Sequence, residues 1–446
     1  MLHLAKTNVP LFLKVKRSNK SERHARRLQR ALDRSNRKSG GRVAVMKAFG
    51  ASSKILRLLA KDVLLDSPPK KGKIKFVVPN KFSLQDNPLG VLKAIKLLSA
   101  QLLLPRIREV HIDMSKMDSY DLAANGLLDV LVEEARTKAK HTGHRIHWHG
   151  RYPMTAELRR RVQAMGVVKH LKILHEYPKP EVASRLETFE YRCKNYVKAV
   201  RLNDTDEKSR ITKRFVDHVN ACLKRVGREL TPSAKSLLSQ YIGEIIDNVQ
   251  EHSGMYDWTI QGYLDTNLDP SSSSWVCEIC IFNFGKTIAD TFDSLPQDNS
   301  ARSFVQPYLD EHEKRGFFSS GWCRDRLLTI VALQRGVSSK NSTPGTTRGY
   351  GTFQLISFFM KIQQECASQG DFGSAMMSLV SGRTRIIFDG KYRLNEEGKI
   401  AFNADNDLHK LPDPKYVSEL EGVFFPGTML SIKYPITLRN TSGVST

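Results

Sequence analysis

Hydrophobic positions in this chain change their period along its length. Through residues 73–171 short alternating runs are separated by longer amphipathic ones. KIKFVVP, REVHIDMS and RIHWHG read as strands, and NPLGVLKAIKLLSAQL, LAANGLLDVLVEEARTKAK and AELRRRVQAMG as helices. The order βαβαβα predicts an α/β sheet domain over 73–178. Residues 179–229 read as a mostly helical connector. From 230 onward the pattern predicts one apolar helix, the strands DWTIQGYLD and SWVCEICIFNF, a long polar stretch, a helix near residue 349, and late strands ending in TMLSIKYPI. Antiparallel strands with a few helices predict an α+β sandwich over 230–446.

The apolar helix at 241–254, YIGEIIDNVQEHSG, carries Glu244, Asn248 and His252 at four-residue steps. On a helix these share one stripe, while Ile242, Ile245, Ile246 and Val249 cover the rest. An acid and an amide on the open edge of a buried helix suit a charged ligand. The bland alternative is a buried helix whose Glu and Asn are incidental.

Charge adds a second theme. The formal net charge is +24, which favours polyanions, acidic membranes or acidic proteins. Residues 14–42 are crowded with Lys and Arg, and Arg23, Arg27, Arg30 and Arg34 share one helical face. This arm, within 1–72, suits nucleic-acid phosphates, an acidic partner or plain solvation. It has few aromatics for stacking on bases. Six cysteines spread over 446 residues fit free thiols in a reducing compartment. Cys277 and Cys280 lie in a strand, where their spacing points them to opposite faces; no second pair completes a zinc site. His147 and His149 share one strand face but lack an acid or cysteine at ligand spacing. No secretory signal and no membrane-length apolar run is present, so a cytoplasmic location is expected.

Three further segments accompany the helix. IFNFGKTIADTF ends a strand at Asn283 and turns at Gly285. RGYGTFQL opens a helix with Gly349 and Gly351, and PGTMLSIKYPI begins the last strand at Gly427 and Thr428. GKT at 285–287 lacks the upstream glycine of a P-loop, where Cys280 stands.

In order and spacing these boxes resemble the histidine-kinase-like (GHKL) ATPase superfamily, over roughly residues 230–437. Glu244 and Asn248 match the family's E-x-x-x-N, Asn283 to Thr287 its D-x-G-x-G, Gly349 to Gly351 its second glycine box, and Gly427-Thr428 its late G-T. The resemblance implies that ATP and Mg²⁺ are the cofactors. Asn248 would ligate Mg²⁺ through its oxygen, and Glu244 would orient or deprotonate the attacking water or hydroxyl. Asn283 would face the adenine amino group beside Gly285 and Thr428. Arg348, Gly349, Tyr350, Gly351 and Thr352 would hold the phosphates under a mobile lid over about 293–348. Two departures stand out: asparagine replaces the family aspartate at 283, and threonine replaces a glycine at 287.

Residues 110–171 resemble a STAS domain, the fold of anti-anti-sigma factors. The family's D-S-S-G is matched by Asp118 and Ser119, but Tyr120 and Asp121 replace its second serine and its glycine. The resemblance implies a partner-binding scaffold without the phosphorylated serine. In bacteria such kinases and STAS proteins are separate partners; here both modules share a chain. The expected function is a cytosolic regulator that uses Mg-ATP as a conformational switch, with slow hydrolysis if any. Alternatives are an anti-sigma-type protein serine/threonine kinase and a nucleic-acid-associated ATPase. The expected partners are ATP, a protein held by the STAS-like part, nucleic acid along residues 14–42 and a second copy of the chain, with no membrane.

Overall fold

The computed structural model of the chain describes residues 53–105, 107–143, 145–165, 188–193, 204–252, 257–266, 273–296, 299–316, 323–337, 351–367 and 375–443, with 43–44, 167 and 255. The basic stretch 14–42 and Arg348, Gly349 and Tyr350 lie outside the described residues.

The chain is a mixed α/β protein. Helix α1 (Lys54–Leu59) precedes strand β1 (Lys73–Val77), α2 (Pro88–Leu103), β2 (Glu109–Asp113), α3 (Leu122–His141), β3 (His147–Arg151) and α4 (Ala156–Ala164). Asn87 caps α2 by accepting from Gly90 N at 3.1 Å, with Pro88 pre-set for the first turn. Strands β1, β2 and β3 form a three-stranded parallel sheet in that order. Alternation in β1 buries Ile74 and Phe76 beneath the helices and leaves Lys73, Lys75 and Val77 exposed. Successive crossovers cover one face of this sheet with α2 and α3.

The second half contains β4 (Thr188–Cys193), α5 (Asp204–Lys224), α6 (Pro232–His252), β5 (Trp258–Asp265) and β6 (Ser274–Phe284). It continues with α7 (Ile288–Asp293), α8 (Ser300–Gly316), α9 (Arg324–Ala332) and α10 (Gly351–Ala367), then β7 (Met376–Gly382), β8 (Thr384–Phe388), β9 (Val417–Glu419) and β10 (Phe425–Thr437). The seven-stranded sheet has the order β9-β8-β7-β10-β6-β5-β4, and every pairing is antiparallel. The segment read as a helical connector therefore supplies an edge strand. TFEYRC at 188–193 buries Phe189 and Cys193 while its backbone pairs with β5.

Both faces of this sheet are covered, which explains why β5 and most of β6 are buried on both. Cys277, Ile279 and Ile281 pack in one core with α5, α6 and α10. Cys280, Phe282 and Phe284 pack in another with α1, α2 and α3. The two cysteines thus point to opposite faces, as their spacing predicts. Gly126 lets α3 lie close, since a Cβ there would sit 2.3 Å from Gln261 Oε1 and 3.2 Å from Phe282. The segments read as two units, 73–178 and 230–446, share a core along this contact. Arg192 of β4, only 6% exposed, ties them further by binding Glu133 and Glu134 of α3 at 2.8 Å each and Asp257 at 3.3 Å. Among the described residues no helix is long and apolar enough to cross a membrane.

Much of the segment read as a lid is folded. Helices α7, α8 and α9 enclose a small core that includes Phe292, Val305, Leu309, Leu328 and Val331. Residues 338–350 lie outside the described part.

Candidate functional site

One end of the helix-covered face of the large sheet is polar. Strand register sets Trp258, Asn283, Thr428 and Ser381 in a row across β5, β6, β10 and β7. The next row inward, Ile260, Ile281, Leu430 and Leu379, is wholly apolar and belongs to the core under α6. The polar row therefore marks where that core stops.

Asn283 is 2% exposed and joins three elements. Its Nδ2 donates to Val249 O of α6 at 3.1 Å, and its Oδ1 accepts from Thr428 N at 2.8 Å. The first bond requires an amide at 283, since an ionised carboxylate has no proton for the Val249 carbonyl. One Oδ1 lone pair is left for a ligand amino group. Gly427 closes the contact, with φ +150° and a would-be Cβ 2.1 Å from Asn283 O. Ser381, which motif reasoning passed over, donates to Gly427 O at 3.2 Å, lies 2.9 Å from Thr428 Oγ1 and accepts from Ile288 N at 2.9 Å. Its only sequence signal is a Ser-Gly pair closing a strand.

Gly285 has φ +127° and turns the chain out of β6. Thr287 then caps α7. Its hydroxyl accepts from Asp290 N and its own N–H donates to Asp290 Oδ2, both at 3.0 Å. Where the D-x-G-x-G pattern would place its second glycine, this chain starts a helix.

Asn248 precedes Val249 and brings its amide to the same end of α6. Its Nδ2 is buried and has no hydrogen-bond partner among the described residues; a buried amide left so costs about 1–3 kcal/mol. Tyr241 of α6 stacks on Phe358 of α10 with ring centroids 4.0 Å apart, and Leu238 lies in one apolar cleft with Ile362. The helices are therefore antiparallel, so Asn248, seven residues after Tyr241, and Gly351, seven residues before Phe358, lie toward the same end of the pair. The first turn of α10 leaves its N–H groups without intrahelical partners.

Glu244 sits one turn before Asn248, about 6 Å along the helix. It lines a cleft of about 600 Å³ between α5 and α6 that also holds Lys208, Thr212, Lys213, Ser236 and Gln240. Lys208 is ion-paired to Asp247, and its stem packs on Gly243. The structure thus gathers Asn283, Gly285 and Thr428 beside Val249, the residue after Asn248, with Glu244 on the cleft between α5 and α6.

The segment that resembles the STAS motif lies across the sheet. Asp121, at the glycine position of the STAS motif, is the N-cap of α3 and accepts from Ala124 N at 2.7 Å and Gln85 N at 3.0 Å. Glu278 of β6 reaches the same helix end, accepting from Leu122 N at 2.8 Å and from Tyr263 OH at 2.6 Å. Burial, reinforced by the Glu278 carboxylate, pushes the Asp121 carboxyl up to about 6. Burial likewise pushes the Cys277 thiol up to about 12, so it is inert beneath α6. Among the described residues no cluster of three or more His, Cys, Asp or Glu side chains could hold a metal. A magnesium ion here would depend on Asn248, phosphate oxygens and water, a ligand set that suits this hard cation. No family model, curated protein or solved structure matches the chain.

Proposed function

We propose that the chain binds Mg-ATP at the end of α6 and uses it as a conformational switch acting on its N-terminal STAS-like part. The observation that carries this reading is Asn283, which is clipped to Thr428 N of β10 and to the carbonyl of Val249, next to Asn248, whose amide nitrogen has no partner among the described residues. Asn248 offers an oxygen to Mg²⁺. The spare lone pair of Asn283 suits an adenine amino group, and α10 offers N–H groups to phosphates. Glu244 stands one turn away, lining the cleft between α5 and α6. Bound magnesium would neutralise phosphate charge; holding the base and orienting the water fall to the chain's own residues.

The route of the switch is short. On β6, Asn283 faces α6 while its neighbours Phe282 and Phe284 face α3. A ligand that shifts the end of β6 or β10 moves the surface on which α3 rests, which is how binding on one face biases what the other face can hold. Isothermal titration of the full chain with Mg-ATP tests the reading. Wild type binds, and Asn248→Ala weakens binding on the order of 100-fold or more. Equal affinities would remove Asn248 from the site and the reading with it.

A further inference from the structure

Ser381, 1% exposed near the end of β7, pairs in register with Thr428 of β10. A hydroxyl has one proton to give and two lone pairs to receive. Three groups surround this one. Ile288 N, at the start of α7, is a donor only and lies 2.9 Å away. Gly427 O is an acceptor only, at 3.2 Å, and Thr428 Oγ1, at 2.9 Å, can be either. All three contacts are hydrogen bonds at once in one arrangement only. The Ser381 proton goes to Gly427 O, Ile288 N–H fills one lone pair, and the Thr428 proton fills the other. The reverse arrangement, with Ser381 donating to Thr428, takes this donor from the carbonyl of a buried glycine. The consequence falls on Thr428, whose side chain is partly exposed. With its proton turned inward to Ser381, Thr428 Oγ1 presents lone pairs alone on its open side. Asn283 Oδ1, which has already accepted Thr428 N, stands beside it in register with one lone pair left.

We propose that Ser381 sets the base preference of the nucleotide site, by holding Thr428 as an acceptor so that a purine with an exocyclic amino group binds in preference to one with an exocyclic oxygen. This inference rests on the nucleotide reading above and deepens it. Ser381 is a positioning residue, since it acts through Thr428 rather than touching the base. An aminopurine brings N–H donors to the two oxygens of Asn283 and Thr428. An oxopurine sets a third oxygen against them, and a site whose acceptors are left unpaired rejects such a ligand. Asn283 carries a second amide proton as well as its free lone pair, so the discrimination falls to Thr428, whose only proton is already committed.

Isothermal titration of the full chain tests it, with magnesium and either ATP, inosine triphosphate or purine riboside triphosphate. Wild type should bind ATP about 10-fold or more tightly than inosine triphosphate, which has oxygen in place of the amino group. Purine riboside triphosphate, with only hydrogen there, should fall between them. In Ser381→Ala the Thr428 proton is free to turn outward and donate to that oxygen. The preference for ATP should then narrow to within about threefold, through tighter binding of inosine triphosphate. A residue that merely supported the fold would weaken all three ligands alike and leave the ratio as it is. Ser381→Thr keeps the hydroxyl and should keep the wild-type ratio. Thr428→Val removes the acceptor at a partly exposed position and should narrow the ratio as Ser381→Ala does, which keeps the test decisive if the buried alanine variant does not fold. Equal wild-type affinities for ATP and inosine triphosphate would overturn the proposal and leave nucleotide binding in place, as would an unchanged ratio in a folded Ser381→Ala or in Thr428→Val. Failure of wild type to bind any of the three would instead remove the nucleotide reading, and this inference with it.

Discussion

Replacing Asp121 with asparagine should change how stability depends on pH. The Asp121 carboxyl is 6% exposed at the N-terminus of α3, and the Glu278 carboxylate shares that helix end. Burial first, and Glu278 second, raise its folded value from 3.8 to about 6. The folded chain therefore holds this proton more tightly than the unfolded chain. The stability it contributes is fully present below about 4 and is lost as pH rises through about 6. A shift of about 2 units corresponds to on the order of 3 kcal/mol. The amide in Asp121→Asn does not titrate. It keeps the capping bond to Ala124 N and gives up the acceptor facing Gln85 N, at about 1 kcal/mol. Urea melts of both proteins from about pH 4 to about pH 7 measure the difference, which cancels every other titrating group. That difference should swing toward the variant by on the order of 3 kcal/mol across the window. Parallel stability profiles would refute the buried, carboxylate-crowded state of Asp121 and the contact between α3 and β6 that creates it.

Other substitutions probe the same joints. Arg192→Ala leaves Glu133, Glu134 and Asp257 without their shared cation and should cost about 3 kcal/mol by urea denaturation, the low end for a broken buried pair because Glu133 reaches water; a loss under about 1 kcal/mol would make the cluster a surface feature. Asn283→Asp sets a carboxylate against Val249 O, so stability should fall by about 1–3 kcal/mol, and nucleotide titration should show no gain in affinity. Gly427→Ala drives a methyl into Asn283 O, 2.1 Å away, at φ +150°; the variant should melt well below wild type or fail to fold, and a wild-type melting curve would contradict the Asn283–Thr428 geometry.

Secondary structure of the two halves was largely legible. KIKFVV, the helix at 122–141 and YIGEIIDNV each carry a clear period, and the structure forms β1, α3 and α6 from them. The strand β4 was not, since TFEYRC is short and half exposed, and pairing with β5 rather than its own pattern makes it a strand. The shared core was written in WVCEICIFNF as apolar residues on both faces, but nothing local says which helix covers the second one. That partner, α3, lies more than a hundred residues upstream. In the site, Asn248 and Asn283 could be singled out by type and spacing. The double clip of Asn283 and the role of Ser381 could not, because both arise from register across β6, β10 and β7. Thr287 illustrates a local rule prevailing over a family pattern: T-x-x-D before an apolar run is a capping box, and the chain uses it as one.

The central claim is that a nucleotide with its magnesium lies between α6 and the polar row of the sheet. A crystal structure of the full chain grown with a non-hydrolysable ATP analogue and Mg²⁺ tests it most directly. The account predicts density for the base at Asn283 and Thr428, and a metal within coordination distance of Asn248 Oδ1. A site filled by packed side chains at saturating analogue, or the analogue bound elsewhere, would contradict it.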